Sequence, residues 1–211
     1  QETSLSEKKK ASGNIHIGIT PTIAPYIIPH LLGYMDTLPD ATMSASELPP
    51  QQLITRLKTA QIDMAIMSLA SPDGSLLEIP LYQEKLYAYV SPNDPLYALD
   101  AIPTADVPAD RLWSLHHEYS LSREVCNLVP KESERRSRYE SGNVATLLHI
   151  VNHTDGLTVI PELHIPMLRD EHRCNLRPLI DPVPVRQVSL FVRSDYVREG
   201  LLNLVADGIK Q

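Results

Sequence analysis

Residues 14–20, NIHIGIT, alternate Ile15, Ile17 and Ile19 with His16 and Gly18, the two-residue period of a strand with one buried face. Thr20, Pro21 and Thr22 break that run and can cap the next element. Over 26–35 the period changes, with Ile27, Ile28, Leu31, Leu32 and Met35 at helical spacing; Pro25 and Pro29 predict a helix that starts late or irregularly. Residues 42–47 read as a second strand, and Pro49 and Pro50 open a helix in which Leu53, Ile54 and Leu57 share a face. The almost wholly apolar run 63–69, DMAIMSL, predicts a short strand covered on both faces. Strand alternating with helix in this order implies parallel pairing through right-handed crossovers, hence an α/β lobe.

Residues 77–82 and 85–91 read as two further strands, after which Pro92, Pro95 and the stretch 102–108 lead into a second region. There 112–115 reads as a strand, 121–129 as a helix and 138–140 as a strand. Val144, Leu147, Leu148 and Val151 mark one helical face, and 156–161 is a buried strand closed by Pro161. A strand over 185–192 and an amphipathic helix over 196–209, with Val197, Leu201, Leu204 and Val205 inward, complete the pattern. The region is a second α/β lobe, the prolines sit mostly at joints, and no internal repeat is visible.

Composition narrows the classes. A chain of 211 residues with 43% hydrophobic content can bury a core. Its net charge of -7 and pI near 5.6 argue against a nucleic-acid-binding surface, so any DNA contact falls to another segment. No long apolar run or leader-like start is visible, which predicts a cytoplasmic protein with no membrane contact. Residues 1–12, polar and beginning without Met, read as the remnant of a linker in a longer protein. Cys126 and Cys174 are too few for a disulfide framework and read as buried or inert thiols. His149 and His153 have metal-ligand spacing, but Ile150 follows the first where a zinc protease needs Glu, so two surface histidines are expected. The chain carries no phosphate loop, nucleophile elbow or paired carboxylates; no enzyme, metal or cofactor is expected.

Residues 13–35 (GNIHIGITPTIAPYIIPHLLGYM), 61–66 (QIDMAI), 77–96 (LEIPLYQEKLYAYVSPNDPL) and 142–161 (GNVATLLHIVNHTDGLTVIP) resemble the effector domain of LysR-type transcription regulators. The resemblance runs from about 13 to 210. Within the family, the turn TPTIAPY and the segment YSLSRE at 119–124 are most like the hydrogen-peroxide sensors. This implies a periplasmic-binding-protein-like fold of two Rossmann-like α/β lobes joined by crossing strands, with the effector site in the cleft between them. Lobe I would hold 13–82 plus 188–211, and lobe II 83–187. It also implies self-association, as a dimer of effector domains and a tetramer at full length. Promoter DNA would be bound only through a separate helix-turn-helix domain, and RNA polymerase is a further partner the resemblance allows.

The peroxide sensors carry a reactive cysteine in a His-Cys-Leu motif, which aligns here with Tyr119-Ser120-Leu121. A thiolate attacks peroxide to give a sulfenic acid and then a disulfide, whereas serine is far less acidic and does not climb that ladder. Either the regulator has drifted to another effector, or a Cys-to-Ser change holds the reduced state; the surrounding residues keep the sensor pattern, which favours the second. Apart from the resemblance, Ser120 would read as a hydroxyl capping a helix at Leu121. Cys126 stands six residues on, while the family's resolving position aligns with Val129; it is a resolving thiol in shifted register or a small helix hydrophobe. The resemblance carries effector binding to Thr22, Tyr119 and Arg186, with Pro50 where a pocket threonine is expected, Tyr119 in place of histidine and Arg123 in place of an acid. Thr22 could equally be a helix N-cap, and Arg186 a solvated arginine on an edge strand. The rival readings are a LysR-type regulator of a small metabolite and a solute-binding protein of the same architecture.

Overall fold

A computed structural model describes residues 13–68, 74–114 and 143–210. The chain divides into two compact units, one of Gln1–Tyr82 with Gln187–Gln211 and one of Gln83–Arg186. In the first, β1 (Gly13–Ile19), α1 (Ala24–Met35), β2 (Ala41–Glu47), α2 (Pro50–Lys58) and β3 (Met64–Met67) come in order. Strand β1 pairs in parallel with β2 on one side and β3 on the other. Next comes β4 (Leu76–Val90), which passes from the first unit into the second. The second unit adds β5 (Ile102–Pro103), α3 (Val144–His153), β6 (Leu157–Pro161), the one-turn α4 (Asp170–Arg173) and β7 (Leu176–Ile180). Finally β8 (Val185–Arg193) returns the chain to the first unit, where α5 (Glu199–Lys210) closes it.

The apolar character of the strand at 63–69 is explained by its two coverings. Met64 and Ile66 pack on one side with Ile15, Ile17, Ile19, Leu31 of α1 and Leu201 and Val205 of α5. Ala65 and Met67 pack on the other with Leu53 and Leu57 of α2 and with Phe191. Successive side chains of a strand point to opposite faces, so a strand between two helical layers needs no polar position. Against β3 runs β8, antiparallel, with Ala65 opposite Phe191. In the second unit β4 pairs antiparallel with β6 and β7, and β7 pairs in parallel with β5. The core there joins Leu86, Ala88 and Val90 of β4 to Val144, Leu147 and Val151 of α3. Gly156, at φ 94°, leads into β6, where an added Cβ would lie 2.2 Å from the Arg111 carbonyl oxygen; only glycine fits there.

Several sequence readings need correction. Residues 77–82 and 85–91 are not two strands but one of 15 residues. The polar Gln83-Glu84 pair suggested a break, yet Glu84 is buried at 3% exposure with its own partner, so the strand continues. Val197 is not inward: it is 86% exposed and precedes α5, whose buried face is Leu201, Leu204 and Val205. Of the stretch at 112–115, the described residues 112–114 supply a single bridge, Leu112 to Leu157, after a 3-10 turn at Ala109–Arg111. Of the two readings of Cys174, buried or inert, burial is excluded: the residue is exposed, its thiol donating to the Glu171 carbonyl at 3.1 Å. The expected helix at 121–129 and strand at 138–140 lie outside the described residues.

Candidate functional site

The parallel strands of the first unit end together. Ile19 lies opposite Glu47 and Ile66, so the segments after these strands leave the same carboxyl edge of the sheet, where open α/β sheets bind ligands. After β1 the backbone turns tightly. The Thr20 N–H donates to Ile66 O at 3.1 Å, and Thr20 O accepts from the N–H groups of Ile23 (2.9 Å) and Ala24 (3.0 Å). This places Thr20 and Thr22 inside the edge, both almost fully buried. The helix N-cap falls on Ile23 with no side-chain cap, so Thr22 is not the capping residue. Capping is replaced by the carbonyl of Thr20 and by a proline in the first helical turn, which has no N–H to satisfy.

Pro50 is buried as the first residue of α2, behind Pro49 at the cap. It offers neither hydroxyl nor N–H and shapes the edge by volume alone. Ser68, just after β3, is also buried. Sequence reasoning took Thr20 only as part of the break after the first strand and missed Ser68, although it is the polar residue near the end of a run that read as almost wholly apolar. The Thr20 hydroxyl has no hydrogen-bond partner among the described residues, and a buried unpaired hydroxyl is costly enough to suggest a ligand or water as its partner.

Arg186 belongs to the second unit, on β8. It is not the solvated arginine of an edge strand: its side chain is fully buried and its Nε donates to Glu84 Oε1 at 2.5 Å. The other Glu84 oxygen accepts from the Leu163 N–H at 3.4 Å. The guanidinium therefore presents a charge already balanced by a carboxylate. Thus the structure puts Thr22 and Pro50 on one sheet edge, while Arg186 sits in the other unit. Tyr119, Ser120, Arg123 and Cys126 lie outside the described residues.

A mixed sheet with hydroxyls at the carboxyl edge of its parallel strands, joined by two strands to a second α/β unit, defines a domain of the periplasmic-binding-protein-like α/β class. The LysR substrate binding domain model matches residues 8–211, and the chain belongs to that family. Among known proteins it is similar to OxyR of Porphyromonas gingivalis, with 31% identity, a TM-score of 0.81 and coverage of 94% of this chain and 93% of that one. It is similar also to a hydrogen-peroxide-bound cysteine-to-serine mutant of OxyR from Corynebacterium glutamicum, at 25% identity and TM-score 0.83, covering 99% of this chain and 68% of that one. The DNA-binding transcriptional dual regulator OxyR of Escherichia coli K12 is 25% identical over 195 residues, 92% of this chain and 64% of the relative. The chain thus spans just under two thirds of that relative's length. Among the described residues no helix is long and apolar enough to cross a membrane.

Proposed function

We propose that this chain is the sensing domain of a hydrogen-peroxide-responsive LysR-type transcription regulator, held in its reduced state by serine at position 120. The observation that carries the reading is the 31% identity to an OxyR across nearly the whole of both chains. The names of curated relatives, hydrogen peroxide-inducible genes activators, support it. Residue 120 is the reactive position. A cysteine thiolate there attacks one peroxide oxygen; the S–O bond forms, the O–O bond breaks, and the other oxygen leaves as hydroxide, giving a sulfenic acid. A second thiol, with Cys126 the candidate, then forms a disulfide and releases water. Serine stops this sequence at its first step.

Thr22, Tyr119 and Arg186 are the groups that hold peroxide, with Thr20 beside Thr22 as a further hydroxyl. Because Glu84 balances Arg186, the guanidinium contributes directed N–H donors more than a bare positive field. The domain is a regulator, not an enzyme. It works as a self-associating cytoplasmic protein, a dimer of sensing domains and a tetramer at full length, with promoter DNA held by a separate helix-turn-helix domain and RNA polymerase as a downstream contact.

The test is Ser120→Cys treated with one equivalent of hydrogen peroxide, then digested for peptide mass mapping. The expected product has gained one oxygen at residue 120 or lost two hydrogens in a bond between residues 120 and 126. Oxidation confined to Cys174 would refute the assignment.

A further inference from the structure

The second unit contains a cavity of about 180 Å³ that peroxide sensing does not use. Helix α3 supplies His149 and Leu148, the 3-10 turn Glu162–Met167 supplies His164 and Met167, and the segment entering α4 supplies Arg169 and His172. All belong to the second unit. We propose that this cavity binds a small monocarboxylate with an apolar body, its carboxylate on Arg169 and the imidazoles and its alkyl group on Leu148 and Met167.

The donor inventory favours an anion. A guanidinium carries five N–H donors and no acceptor, and each imidazole carries at least one N–H. Among the described residues no aspartate or glutamate lines the cavity. Glu171, just outside it, approaches the same side chains without bonding them: its Oε1 lies 3.6 Å from Arg169 Nη1 and 3.7 Å from His172 Nε2, beyond hydrogen-bond length, so these donors are not consumed by it. The Arg169 and Glu171 side chains are 77% and 67% exposed, so their pair is weak in water, and a ligand's carboxylate on Arg169 needs the apolar half of the cavity to hold it there. Burial lowers the His164 pKa from 6.5, so this ring is neutral at pH 7 and the fixed charge of the site is that of Arg169. A divalent metal is the poorer occupant, since among the described residues no three His, Cys, Asp or Glu side chains are grouped to hold one.

The apolar half is equally plain. Met167 is 55% exposed at the cavity mouth, beside the buried Leu148. A flexible, polarisable methionine left in water next to a cavity suits an adaptable apolar contact. At ~30 Å³ per water the space equals roughly six waters, enough for a short branched acid and too little for a drug-sized ligand. The sequence singled out His149 for its spacing to His153, but His153 instead turns its Nδ1 to the His149 carbonyl at 2.8 Å. Across the cavity His149 faces residues of the 3-10 turn, Arg169 and His172, together with Ala145, Leu148 and Asn152 of its own helix.

The proposal is independent of peroxide sensing. It is tested by titrating the 211-residue chain with 3-methylbutanoate, and separately with the uncharged 3-methylbutanamide, while monitoring backbone amide NMR shifts. Saturable shifts at residues 145–172 with the carboxylate are expected. Binding weakens about tenfold in Arg169→Ala and in the independent surface variant His149→Ala, and strengthens in Glu171→Gln, which removes the nearby negative charge. Equal binding of acid and amide, shifts centred elsewhere, or no saturable shift with the acid would overturn it.

Discussion

Glu84 and Arg186 illustrate how a single residue can be found in a sequence and still be misread. Arg186 was marked by its resemblance to a basic effector-site residue, with a solvated edge-strand arginine as the alternative; neither reading included a buried carboxylate partner, because that partner lies 102 positions away. Buried as they are, neither tolerates the other's loss. Glu84→Gln or Arg186→Met alone should cost about 3–5 kcal/mol, since each strands a polar or charged group in the interior. The double variant Glu84→Met/Arg186→Met should recover most of that loss, measured by urea unfolding; equal, additive losses would show that the pair is not coupled. His164 gives a pH signature. Burial lowers its pKa in the folded chain, so the unfolded chain binds the proton more readily. Its contribution to stability is therefore complete above the unfolded value of 6.5 and is lost as pH falls below it through the lowered folded value. Urea midpoints should drop from about pH 7.5 to pH 5.5, and His164→Gln should flatten that drop.

Among the helices and strands, periodicity told most where an element had one uniform environment. The face of α3, that of α5 apart from Val197, and the doubly covered β3 were legible for that reason. Strand β7 was not: its five residues include Arg177 and Pro178, and a proline usually marks a joint. In the fold Arg177 lies over the Tyr97 ring, 4.6 Å from its centroid, and donates to the carbonyl of Leu99, so a charged residue is accommodated by contacts that no local pattern encodes. Helix α3 also has a cap that can be tested. The Asn143 side chain accepts the Thr146 N–H at 3.2 Å, and Asn143→Ala should destabilise the chain by about 1 kcal/mol in thermal or urea unfolding, whereas Asn143→Asp should not.

Across the full chain, the order of elements implied an α/β architecture and several segments implied the family, but the crossing strands came only from the resemblance. Local pattern put a break at residues 83–84, where β4 in fact runs on from one unit to the other. The same limit applies to the site. Thr22 was legible as a turn threonine, but its burial beside Thr20, whose hydroxyl lacks a partner among the described residues, depends on pairing between distant strands. The identity of residue 120 is the most direct statement the sequence makes, and the proposed peroxide sensing rests on the chemistry available there. The decisive measurement is the rate of thiol loss at residue 120 in Ser120→Cys on exposure to hydrogen peroxide, compared in the same molecule with Cys174, an exposed thiol that serves as internal reference. The thiol at residue 120 is expected to disappear about thirtyfold sooner, roughly the ratio at pH 7 between a fully ionised thiol and the few per cent of thiolate in an ordinary thiol of pKa about 8.5. Equal rates at the two positions would contradict peroxide sensing at this site.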